Sequence, residues 1–172
     1  MERLLGAAAA VLTWVGWLNI CPALGFPILG TAAMINRVFF KQIPEAGHQP
    51  NFWIGWTILI AGFAGAIALF SILERRRLVR ASIRTGLIYG VLLWLVAGAV
   101  VMPVLGFFEV KPPSAPGFQP VDPMQATLMM YTLGPLAALA ALIAWLLFGA
   151  ILGATWSVPA KSDSAAALGA AR

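Results

Sequence analysis

Long apolar runs alternate with short polar stretches along this chain, and the apolar runs are of membrane-spanning length. Leu4 to Cys21 carries no charged residue. At 1.5 Å per helical residue, such a run of about 18 residues just crosses roughly 30 Å of hydrocarbon. Cys21-Pro22-Ala23-Leu24-Gly25-Phe26-Pro27 then ends it, because each proline removes a backbone donor and crowds the preceding turn. Phe52 to Leu73 predicts a second span, opened by Phe52, Trp53 and Trp56. A third runs from about Thr85 to Met102, with Pro103 closing it. Asp122-Pro123-Met124-Gln125 has the pattern of a capped helix start, and the fourth helix is expected from Pro123 to Trp156. At about 34 residues and about 50 Å that is too long for a simple span, so a kink at Pro135 or a projecting first turn is expected to absorb the excess.

The segments between are shorter or more polar. Pro27 to Lys41 is helical in character but too short to cross, and it is read as a short re-entrant or interfacial helix. Gln42 to Asn51 is a polar loop, and Val104 to Val121 is proline-rich, with polyproline character over Pro112 to Gly117. Trp14 and Trp17 lie on one face near the far end of the first span, where interfacial aromatics often sit. The expected fold is thus all-α and integral to a membrane. Residues 1–158 form one domain of four transmembrane helices, followed by a small-residue tail over 159–172 on the cytoplasmic side.

Composition agrees. Of 172 residues, 61% are hydrophobic and only 10% charged, with a mean hydropathy of +0.90, where soluble domains carry about 25% charged residues. The net charge of +5 reads as retention of Lys and Arg on the cytoplasmic side, and nucleic-acid binding is set aside. One cysteine excludes an intrachain disulfide, and one histidine excludes a bis-histidine haem site within the chain. Met1-Glu2-Arg3 resembles a thin signal-peptide start, but no small-x-small cleavage site follows, so the first span is read as retained.

Charge also sets the orientation. Arg75, Arg76, Arg77, Arg80 and Arg84 cluster between the second and third spans, five of the eleven basic residues. With four spans and both ends inside, Arg3, that cluster, Lys161 and Arg172 are cytoplasmic, and only Arg37, Lys41 and Lys111 stay outside. A fifth span over Pro22 to Phe40 would separate the N-terminus from the arginine cluster and is rejected. The expected location is the bacterial inner membrane, with anionic headgroups of the lipid bilayer as one partner of the cluster.

Two sequence echoes remain. Pro22-Ala23-Leu24-Gly25-Phe26 after the first span and Pro103-Val104-Leu105-Gly106-Phe107 after the third stand 81 residues apart (22 to 103). That offset also lays the second span over the fourth, as two repeated hairpins would, and duplication and chance match stand as open alternatives. Small residues four apart recur at Ala61–Gly65, Gly62–Ala66 and Gly86–Gly90, which lets helices approach closely. The pattern Gly86-x-x-Tyr89-Gly90-x-x-x-Trp94, closed by Met102-Pro103-x-x-Gly106, resembles a loose group of small four-span bacterial membrane proteins of unknown function. The resemblance covers residues 84–107 and brings no catalytic residues with it.

Chemistry has little to work with. The four expected span interiors hold no Asp, Glu, Lys, Arg or His, which argues against ion pumps and proton-coupled carriers. Asn19, Thr13, Thr57, Ser71, Tyr89 and Thr132 are read as packing groups. Glu45, His48, Glu109 and Asp122 could converge on the outer side, but solvated loop charge is the stronger reading. Cys21 reads as a buried small hydrophobe, and Met124, Met129 and Met130 as a soft apolar face. No catalytic, cofactor or metal residues are assigned. The expected function is a non-catalytic accessory or structural subunit of a larger membrane complex, such as an electron-transfer assembly. The alternative is an oligomeric transporter or channel for a small neutral solute, using Pro22–Phe40 to line a cavity reaching Asn19 and Asn36.

Overall fold

The structure is a computed structural model describing residues 2–26, 52–104 and 134–157. Inside a bilayer every backbone N–H and C=O must find a partner within its own segment, and helices achieve this. Four helices among the described residues are long and apolar enough to cross a membrane: Glu2–Leu24, Gly55–Arg75, Ile83–Val104 and Pro135–Ser157. We call the helices α1 (Glu2–Ile20), α2 (Phe52–Arg75), α3 (Ile83–Val96) and α4 (Pro135–Ser157).

Their ends show how local sequence chemistry places them. A 3-10 turn, Cys21–Leu24, extends α1. It closes where the N–H of Phe26 reaches Cys21 O at 3.0 Å and that of Gly25 reaches Pro22 O at 3.1 Å. This is a Schellman cap, with Gly25 left-handed at φ 79°. The same cap ends α2, through Leu78 N–H to Leu73 O at 3.0 Å and Arg77 N–H to Glu74 O at 2.9 Å. Here the left-handed position is held by Arg77, φ 56°, where glycine is usual. The Ser82 side chain caps α3, accepting from the Thr85 N–H at 3.2 Å.

Two prolines stand near helix ends. Pro103 lies in the last described turn of the third span, which runs to Val104. A wide π turn over Ala97–Val101, with the Met102 N–H bonded to Ala97 O, precedes it. Proline has no N–H for the carbonyl four residues back and its ring crowds that carbonyl, so a locally wider turn accommodates it. Pro135 is not a mid-helix kink but the first residue of α4, entered from Gly134 at φ 87°. The expected stretch of that helix over 123–133 lies outside the described residues. So do the Pro27–Lys41 element, the loop around residue 112 and the 159–172 tail.

The last helix is the hub. It packs along α3 on one side and α1 on the other, while α1, α2 and α3 meet one another far less. Its buried residues are Ala137, Ala140, Ala144, Phe148, Gly149, Leu152, Gly153 and Trp156. On α1 the buried set Gly6, Ala7, Ala10 and Trp14 forms one stripe at helical spacing. The 81-residue shift carries Glu2–Ile20 onto 83–101, which are the limits of α3 with its wide turn, and carries 52–75 onto 133–156, close to α4. Element boundaries therefore match between the halves. Packing does not, since α3 lies tightly on α4 and α1 barely meets α2.

Candidate functional site

Backbone meets backbone where α3 crosses α4. A Cβ added at Gly86 would run into Gly149 O and come within 2.9 Å of Gly153 Cα. One added at Gly149 would meet Gly86 O and stand 2.9 Å from Gly90 N. Two glycine pairs, each four residues apart, thus lie against each other, and backbone meets backbone with nothing between. Gly153 also abuts the Ser82 carbonyl, so the capped start of α3 is seated on α4.

Aromatic rings fill the rest of the core. Trp14, Phe63, Trp145 and Phe148 form one group, with Trp14–Phe63 centroids 4.9 Å apart at 74° and Phe63–Phe148 5.4 Å apart. Phe70, Tyr89 and Trp156 form a second, at 5.1 Å for Phe70–Tyr89 and 6.2 Å for Phe70–Trp156. Phe63 and Phe70 are the buried aromatic residues that α2 contributes to this core. Edge-on and tilted ring pairs contribute about 0.5–1.5 kcal/mol each beyond area burial.

Polar groups in the spans are used for fastening. Tyr89 donates its hydroxyl to Ala66 O on α2 at 2.6 Å, and Trp17 Nε1 donates to Ala140 O on α4 at 2.9 Å. Asn19 donates to Val15 O at 2.8 Å and Thr57 to Trp53 O at 2.8 Å, each within its own helix. Asn19, Thr57 and Tyr89 each donate to a backbone carbonyl; Thr132 lies outside the described residues. Trp14 and Trp17 both serve packing: Trp14 is core, 6% exposed, and Trp17 bonds across to α4. The sequence signal for this was the small-residue stripe Gly6, Ala7 and Ala10 leading up to Trp14.

Cys21 is buried and alone. Among the described residues no three His, Cys, Asp or Glu side chains are grouped to hold a metal. Glu45, His48, Glu109, Asp122, Met124, Met129 and Met130 all lie outside the described residues. At the opposite end from Cys21, Arg3 meets Glu74 at 3.5 Å and stands over the Trp156 ring, 5.9 Å from its centroid. No local pattern points to that pairing, which joins residues 71 positions apart.

Four membrane-length helices around a glycine-tight crossing define a multi-pass α-helical membrane protein. No protein family, curated protein or solved structure matches the chain.

Proposed function

We propose that this is a non-catalytic protein of the bacterial inner membrane that works by association, as an accessory or structural subunit of a larger complex. Electron-transfer assemblies are natural hosts, and both termini lie on the cytoplasmic side. The observation that carries this reading is the outward face of α2. Opposite Phe63 and Phe70, the residues Thr57, Ala61, Ala64, Gly65 and Ala68 are all exposed, at helical spacing. A Cβ added at Gly65 meets nothing within 4 Å. Residues of this kind build the α3–α4 crossing inside the chain, and in lipid they favour helix contact through close approach.

Purification of the full chain from its native membrane in mild detergent tests the reading. Stoichiometric companion proteins are expected. Ala61→Leu together with Gly65→Leu should release them without lowering the thermal stability of the chain. A monodisperse protein without companions would overturn the proposal.

A further inference from the structure

All charged side chains among the described residues lie at one end of the bundle: Glu2, Arg3, Glu74, Arg75, Arg76, Arg77, Arg80 and Arg84. Six arginines face two glutamates, a net +4. Glu74 is engaged by Arg3, so the five arginines from 75 to 84 have no carboxylate partner among the described residues, and all five are exposed. Their backbone is fixed. The Schellman cap holds Arg77, Thr85 Oγ1 donates to Arg80 O at 2.6 Å, and Ser82 rests on Gly153. Between the arginines stand two bare apolar side chains, Leu78 at 68% and Ile83 at 56% exposed.

Orientation by charge alone needs only the number of positive groups, and a slack loop would supply it. This loop is short, set by hydrogen bonds, and interleaves guanidinium groups with apolar side chains where a membrane-length helix stops. Such a surface matches the boundary between phosphate headgroups and acyl chains. We infer that the loop joining α2 to α3 is a docking surface for anionic phospholipid, with Arg75, Arg76, Arg80 and Arg84 on the headgroup phosphates and Leu78 and Ile83 among the upper acyl carbons. A soluble acidic protein would match the charge but not the two apolar groups at that depth. The inference stands apart from the assembly reading and does not need a partner subunit.

Native mass spectrometry of the full chain in mild detergent, titrated separately with phosphatidylglycerol and phosphatidylcholine, tests it. Phosphatidylglycerol should be preferred by tenfold or more at low salt, and the preference should collapse at 0.5 M salt. The variant R76Q/R80Q/R84Q should bring the two lipids within threefold, since each arginine near a charged surface contributes about fivefold. The charge-preserving R76K/R80K/R84K should keep the preference, and Leu78→Ser should weaken both lipids alike. Equal binding of the two lipids by the native chain, a preference that survives in the glutamine variant or is lost in the lysine variant, or an unchanged affinity in Leu78→Ser would overturn the inference. Displacement of phosphatidylglycerol by millimolar inorganic phosphate would also overturn it, and would point to a free-anion site.

Discussion

Trp14 and Trp17 sit one turn apart on α1, and their indole N–H groups meet different ends. Trp17 reaches Ala140 O at 2.9 Å, whereas the buried Nε1 of Trp14 finds no acceptor among the described residues. Trp17→Phe should therefore lower stability by about 1–2 kcal/mol, because it leaves a helix carbonyl without its second partner. Trp14→Phe should stay within about 1 kcal/mol of the native chain, since it deletes an unpaired donor and keeps an aromatic edge against Phe63. Thermal unfolding in detergent separates the two, and the reverse order would contradict the geometry. Tyr89→Phe keeps the ring on Phe70 but drops the bond to Ala66; a cost of about 0.6–1.7 kcal/mol is expected in the same assay.

Among the helices, the three small-residue motifs read alike in sequence and differ in space. Gly86→Ala drives a methyl into the α4 backbone, so it should cost more than about 2 kcal/mol. Gly65→Ala meets open space and should stabilise α2 by up to about 1 kcal/mol. Unfolding of the two variants in one detergent checks the contrast. Arg77→Gly should also stabilise, by about 1 kcal/mol, because its left-handed backbone suits glycine. Spans were legible because an uninterrupted apolar run has one physical meaning at that length. Proline was not, because it fits a first turn, a kink or a stop equally well; Gly134 before Pro135 was the available clue to a start. Which motif is filled depends on how each helix is rotated against its neighbours, and local sequence does not encode that.

For the whole molecule, the charge cluster and the 3-10 turn mark opposite faces. In a Cys21→Ser background, Leu24→Cys should react with an impermeant maleimide in intact cells, and Leu78→Cys only after permeabilisation; both positions are exposed. Labelling of both from one side would contradict four crossings with this arrangement. The hub role of α4 has a consequence for biosynthesis. Ribosomes deliver helices in chain order, at about 5–20 residues per second, so α1, α2 and α3 reach the bilayer before the helix on which α1 and α3 pack. Until Pro135–Ser157 arrives they have few contacts with one another. A nascent chain arrested before residue 134 should hold three inserted helices that lack the α3–α4 and α1–α4 packing, open to membrane proteases. Completion of α4 then closes the glycine crossing and the α1 stripe together, making assembly a single late event.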